Sequence, residues 1–289
     1  MTIKQLIQQR MPEDGLQETG IQGVRLFRVS EPHQCAPAVY EPSIVAIVSG
    51  CKEAILDGHS YRYDNRHYLA CSMSMPLETG TPEASPEEPL LGVYITLDIR
   101  LMAEIALEIQ AASSHSSQQE KKPPSGISLC PWQPNFTEAL YRLLELSSDP
   151  TDTKVLGESR LKELYYTVLK GSAGSAMMQA FGIGNSMARM IEQISARLSD
   201  PLTVEEMAAQ VGMSRAAFHR KFKQATHLSP IQFIKSMRLN SAAMNISAGM
   251  NVNEAAYAVG YASPSQFNRE FKRLYGQPPR QWSHAKWSK

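Results

Sequence analysis

The 289-residue sequence contains no apolar run approaching the ~20 residues a membrane-spanning helix requires, so no membrane partner is expected. Residues 1–15 carry polar groups every few positions and no apolar h-region, which argues against a secretory signal and for a cytoplasmic protein. The four cysteines, Cys35, Cys51, Cys71 and Cys130, stand 16, 20 and 59 residues apart. Without a C-x-x-C pair they offer neither a zinc ribbon nor a thioredoxin-type redox site, and thiols in that compartment are expected to be reduced. No Ser/His/Asp or paired-carboxylate spacing stands out either, and an enzyme is not expected.

Net charge is also scarce, at +1, but it is unevenly divided. Residues 182–289 hold 14 Lys/Arg against 6 Asp/Glu, a net of +8, whereas residues 1–181 hold 15 against 22, a net of −7. A basic segment joined to an acidic one suggests that only the second part meets a polyanion, although charge alone fits a solvated basic surface equally well.

From Ile21 to Asp98 the sequence is strand-like. IVAIVSG (44–50), YRYDNRHYLAC (61–71) and LLGVYITLDI (90–99) are short β-rich runs, and Asp57-Gly58 between two of the runs signals a hairpin. Five or more such strands without intervening helices predict an antiparallel barrel or sandwich. The period then changes, predicting a helix over 99–112 with Leu101, Ile105, Ala106 and Ile109 near one face. The polar stretch 113–128 reads as an exposed loop, and two helices are expected over 135–147 and 156–170. Their apolar stripe is core, with some of it available for dimerisation. The small-residue run 171–184, GSAGSAMMQAFGIG, is the best candidate for a linker between domains 1–181 and 182–289.

The last hundred residues repeat themselves. LTVEEMAAQVGMSRAAFHRKFKQ (202–224) and MNVNEAAYAVGYASPSQFNREFKR (250–273) follow one plan. Each opens with a capping-box pattern, Thr203-x-x-Glu206 or Asn251-x-x-Glu254, and a first helix that ends at Val211-Gly212 or Val259-Gly260. A new N-cap follows, Ser214 in one and Ser263 with Pro264 in the other. The second helix of each carries an aromatic pair at i,i+4, Phe218/Phe222 and Phe267/Phe271, which marks its buried face. Helix, glycine turn and second helix make a helix-turn-helix unit, and two in register are far stronger evidence than one.

The face opposite the aromatic pairs holds Ala216, His219, Arg220 and Lys223 in the first unit, flanked by Ser214 and Arg215. In the second it holds Ser265, Asn268, Arg269 and Lys272, with Gln266 beside them. These residues are the expected contacts to double-stranded DNA. Arg220 and Arg269 suit bidentate reading of guanine, His219, Ser265, Gln266 and Asn268 suit base edges, and Lys223, Lys272 and Arg273 suit phosphate. Ser229-Pro230 opens a further helix of about 18 residues, ~27 Å long, between the units. That is of the order of one turn of B-DNA, ~34 Å, so the two recognition helices can enter successive major grooves. Lys235 and Arg238, on this connector, are equally open to solvation or internal pairing.

Residues 185–289 resemble the AraC/XylS family of bacterial transcription regulators through the two repeats, the connector SPIQFIKSMRLNSAA and the run AAYAVGYASPSQFNREFKRLYGQPPRQW. The stretches YEPSIVAIVSGCKEAILDGHSYRYDNRHYLACSMSMPLE and ASPEEPLLGVYITLDIRLMAEI are similar to the cupin-like effector domain of one branch of that family. The resemblance implies an α+β chain: a cupin-like antiparallel β-barrel with following helices, then an all-α domain of two helix-turn-helix units. It further implies a small-molecule effector, a homodimer and RNA polymerase as partners. His59 and His67 are eight residues apart, with no H-x-H pair, so neither a metal nor a cofactor is expected. Lys52, Tyr63, Cys71, Met73, Tyr94 and Thr96 lie in strand-like stretches and are candidates to line an effector pocket at the barrel mouth. Cys71, close behind His67, is the one candidate for a reactive thiol.

Overall fold

The computed structural model describes residues 1–112, 125–182 and 185–282. Its front part is built from ten strands in two antiparallel sheets. The six-stranded sheet runs β1 (Gly15–Glu18), β2 (Val24–Val29), β9 (Leu90–Thr96), β4 (Ser43–Ser49), β7 (His67–Cys71) and β10 (Ile127–Pro131). The four-stranded sheet runs β3 (His33–Tyr40), β8 (Met75–Thr81), β5 (Cys51–Leu56) and β6 (His59–Asp64). The sheets face each other as a sandwich and do not close into the expected barrel: β1 and β10 end one ladder, β3 and β6 the other. At Asp57-Gly58 both residues take positive φ, 49° and 76°, which the primed turn of a two-residue hairpin requires, and Leu56 pairs with His59 across it.

Alternation along the larger sheet gives it two apolar faces. Ile44 and Ala46 of β4, with Leu91, Val93 and Ile95 of β9, pack under a helical layer. That layer comprises α1 (Ile3–Arg10), α2 (Ile99–Ala112), α3 (Pro134–Leu146), α4 (Pro150–Lys170) and α5 (Gly174–Phe181). Val45, Ile47 and Tyr94 turn the other way, into the space between the sheets.

Several expectations need correction. The supposed linker 171–184 contains α5, whose Met177, Ala180 and Phe181 are buried in the front core; residues 183–184 lie outside the described residues. Small residues there serve close packing, since a Cβ on Gly174 would collide with the Leu169 carbonyl. Of the loop placed at 113–128, residues 113–124 lie outside the described residues, and Ile127 already belongs to β10, paired with Cys71 of β7. Helix α4 starts six residues before the expected 156, because Asp149 caps it through the Thr151 and Asp152 amides and Pro150 takes the first helical position. Helix α1, which the apolar pattern did not announce, is set by a capping box between Thr2 and Gln5.

The C-terminal part is helical throughout its described residues. It contains α6 (Ser186–Ala196), α7 (Val204–Gln210), α8 (Arg215–Thr226), α9 (Pro230–Ser247), α10 (Val252–Ala258), α11 (Pro264–Tyr275) and α12 (Pro279–Trp282). No helix among the described residues is long and apolar enough to cross a membrane.

Candidate nucleic-acid interface

Each repeat folds as two short helices about a glycine turn. In the first, Thr203 and Glu206 close a reciprocal capping box at α7, Gly212 turns the chain at φ 65°, and Ser214 caps α8 through the Ala217 amide. In the second, Asn251 caps α10 through the Asn253 amide alone, so the expected second capping box is a single-sided cap. Gly260 turns at φ 87°, and Ser263 caps α11 through the Gln266 amide. Both α8 and α11 end on a left-handed residue at equivalent positions, His227 at 63° and Gly276 at 73°. Phe218, Phe222, Phe267 and Phe271 are completely buried.

Burial of those four rings turns the opposite faces outward. Ser214, Arg215, Ala216, Arg220 and Lys223 are exposed on α8 and its cap, with His219 half-exposed. On α11 the exposed set is Ser265, Gln266, Asn268, Arg269 and Lys272. Ser214 accepts from the Ala217 amide, Arg215 pairs with Glu205 at 2.8 Å, and the Gln266 side chain lies close enough to Glu270 to help lower its carboxyl. Arg220, Lys223, Arg269 and Lys272 form no ion pair among the described residues, so each can meet an external anion without breaking one.

The connector α9 is 18 residues long and has its own capping box, Ser229 with Gln232. Its two cations pair internally. Arg238 donates to the Leu198 and Asp200 carbonyls at 2.8 and 2.9 Å, and Lys235 meets Glu270 of α11 at 3.0 Å. Glu270 also accepts from the Tyr261 hydroxyl at 2.8 Å. Burial pushes the Glu270 carboxyl upward, but Lys235, Tyr261 and Gln266 together outweigh it and hold the group below its ordinary value.

Over residues 20–176, more than half of its length, the chain matches the family model for the AraC-type transcriptional regulator N-terminus. The chain belongs to the AraC-type transcriptional regulators. Residues 207–285 match a helix-turn-helix domain model. Among curated relatives, the regulator MtrA of Neisseria gonorrhoeae is 32% identical over 97 residues, 33% of this chain and 32% of that one. AlkR of Acinetobacter baylyi is 31% identical over 97 residues, again 33% and 32%. These matches thus span about a third of each relative's length. Among solved structures, ToxT of Vibrio cholerae bound to an unsaturated fatty acid has a TM-score of 0.56 at 12% identity, covering 90% of this chain and 94% of that one. ToxT bound to a naphthalenyl butenoic acid has a TM-score of 0.58 at 13% identity, covering 90% and 97%. The likeness to ToxT shows a shared fold across both halves.

Within this AraC-type front domain, the six residues named as pocket candidates do not form one site. Lys52, Tyr63, Cys71 and Tyr94 gather between the sheets, joined by Phe27 and Tyr40. The Lys52 ammonium lies 5.5 Å from the Phe27 ring centre, and Tyr40 meets Tyr94 edge to face at 6.4 Å. The Tyr63 hydroxyl is buried without a well-formed hydrogen bond, although the Tyr40 and Thr79 hydroxyls are close enough to affect its titration. Met73, beyond the end of β7, is buried in the same apolar cluster, whereas Thr96 lies in a separate cleft of about 390 Å³ beside Gly23 and Thr153. Phe27 and Tyr40 went unrecognised because alternation within a strand does not say which face is inside. Cys71 is wholly buried and donates to the Met73 carbonyl; desolvation pushes its thiol up to about 12, the opposite of an activated nucleophile.

Proposed function

We propose that the chain is a sequence-specific regulator in which α8 and α11 read successive major grooves of double-stranded DNA and the front domain answers to a small-molecule effector. The observation that carries this is the pair of outward faces at equivalent repeat positions, each with an unpaired arginine and an unpaired lysine. Arg220 and Arg269 are the base readers, supported by Ser214, Arg215, Ala216, His219, Ser265, Gln266 and Asn268. Lys223 and Lys272 hold phosphate. The working division is 1–181 for sensing and dimerisation and 182–289 for DNA, in a cytoplasmic homodimer that contacts RNA polymerase and catalyses no reaction of its own. Val155 and Tyr166, exposed on α4 three turns apart and so on one face, support a second copy as the partner of that helix.

The effector site with most support is the aromatic space between the sheets, around Lys52, Tyr63, Cys71 and Tyr94. Its unsatisfied Tyr63 hydroxyl and inward Lys52 suit a compact ligand with an apolar body and a polar or acidic group. ToxT, the neighbour in fold, is known bound to a fatty acid. Native mass spectrometry of the protein from its own host tests both claims: a dimer with non-covalent extra mass supports them, and a bare monomer overturns the dimer.

For DNA, duplexes selected by the full-length protein from a random pool provide the site. Arg220→Ala and Arg269→Ala should each weaken it by ~1–3 kcal/mol and relax discrimination at one base position, each in a different half. Lys223→Ala and Lys272→Ala should weaken all sequences alike and reduce the salt slope by about 1. Wild-type binding by both arginine variants would overturn the assignment of the reading faces.

A further inference from the structure

Helix α9 does more than join the two units, because one face of it lies on β3 and β8 of the front domain. Asn240, midway along α9 and 5% exposed, is one of the few buried polar side chains among the described residues. Its Nδ2 donates to the Ala38 carbonyl of β3 at 2.8 Å and to the Leu77 carbonyl of β8 at 3.0 Å. Ala38 and Leu77 are register partners across the two strands. Its Oδ1 accepts from the Tyr275 hydroxyl at 2.7 Å, and Tyr275 is the last residue of recognition helix α11. One amide therefore joins the connector, the second recognition helix and the front sheet.

The chemistry of the three partners is specific. Two carbonyls need a donor and a phenol in this role needs an acceptor, so a primary amide satisfies all three and a carboxylate or an alkyl group does not. The equivalent of Tyr275 in the first unit is Thr226, whose single hydroxyl proton is used locally, with the Phe222 and Leu228 carbonyls both in reach, and which accepts from the Leu228 amide. The first recognition helix is instead tied to the front domain by a backbone bond, Gly126 N–H to the Ala225 carbonyl at 2.8 Å. An apolar residue at 240 would fill the space as well, but it would fix neither the register of α9 on the sheet nor that of α11 on α9; setting register is the best-attested use of a buried polar group.

We propose that Asn240, through Tyr275, is a positioning residue that sets the second recognition helix against the front sheet, making β3 and β8 the part of the sensing domain coupled to reading by α11. The inference rests on α8 and α11 being the DNA-reading helices. The variants are Tyr275→Phe, which keeps the ring on Phe271 and Trp282, and Asn240→Leu, which keeps the volume. They are compared in the full chain on duplexes selected by the wild type. The halves of the site are assigned by Arg220→Ala and Arg269→Ala.

Tyr275→Phe should keep the wild-type thermal midpoint to within a few degrees, whereas Asn240→Leu, which leaves two carbonyls and a phenol without their partner, should lower it further. Both should lose roughly 3- to 10-fold of base discrimination, about the worth of one hydrogen bond, in the α11 half and none in the α8 half. Because coupling is reciprocal, DNA should change amide exchange in β3 and β8 of the wild type, and this response should vanish in Asn240→Leu. A wild-type profile in both halves, or an equal loss in both, overturns the proposal, as does an undiminished exchange response in Asn240→Leu. If Arg269→Ala itself leaves the profile untouched, the DNA assignment falls first and the inference falls with it, a result distinguishable from failure of the Asn240 variants alone.

Discussion

The two helix-turn-helix units share a plan but differ in what holds them together. Phe218 and Phe222 of the first join one continuous apolar core with Met75, Leu77 and Tyr63 of the front sheets and Phe233 and Met237 of α9. Phe267 and Phe271 of the second join a separate core made of α9–α12 residues with Val259 and Tyr261, closed by Tyr275 and Trp282. The first unit therefore shares its core with the front sheets, while the second packs a core of its own and meets the front domain through α9, which lies on β3 and β8, and through Asn240. Equivalent sequence positions need not share an energetic context: the repeat specifies the hairpin, and the neighbours decide with what it unfolds.

Substitutions at matched positions should expose this difference. Phe222→Ala and Phe271→Ala should each cost ~3–5 kcal/mol, measured by denaturant unfolding. Hydrogen exchange should place the loss differently: Phe222→Ala loosens the front strands as well, whereas Phe271→Ala loosens only residues 239–282. Equal spread in both variants would break the distinction.

The turn glycines should separate next. A Cβ on Gly260 would lie 2.8 Å from the Ser199 backbone, whereas one on Gly212 meets nothing within 4 Å. Gly212→Ala should cost only the left-handed conformation, ~1–2 kcal/mol, and Gly260→Ala that plus a displaced Leu198–Ser199 backbone, on the order of 3 kcal/mol. A thermal midpoint lowered equally by both would contradict this. At the caps, Thr203→Ala loses the hydroxyl's bonds to the Glu206 amide and carboxylate while the reciprocal bond from the residue-203 amide to Glu206 stays, and should cost about 1 kcal/mol; Asn251→Ala, losing one bond, should cost less.

The smallest effect concerns pH. The Glu270 carboxyl is lowered on folding, so its contribution to the second unit is complete above the ordinary carboxylate value and is lost as pH falls through the lowered one. Acid unfolding of Glu270→Gln, followed by exchange in α10 and α11, should lack that loss. The first unit, which lacks such a cluster, should respond alike in both proteins.

Much of the local structure was legible in the sequence. The 99–112 helix, the Asp57-Gly58 hairpin, the Ser214, Ser229 and Ser263 caps and the buried phenylalanine pairs all depend on interactions within a few residues. Thr2 with Gln5 and Asp149-Pro150 are start signals of the same kind, each standing ahead of a stretch with weak apolar periodicity. The linker assigned to 171–184 failed for a different reason, since glycine and alanine suit a tight helix contact as well as a flexible joint.

The outward faces of α8 and α11 follow from the sequence alone because helical geometry fixes which side chains oppose a buried i,i+4 pair. What lies inside the sandwich does not, because alternation defines two faces and only the second sheet decides between them. The same holds for the connector. Composition reveals Lys235, Arg238 and Asn240 as polar residues on a helix, but their partners lie in other elements, for Asn240 as many as 202 residues away in the chain. Local backbone and hydrogen-bond preferences wrote the two helix-turn-helix units into the sequence; only packing over long chain separations decided that one shares the core of the front sheets and that the other keeps its own and meets them through α9 and the Asn240 amide.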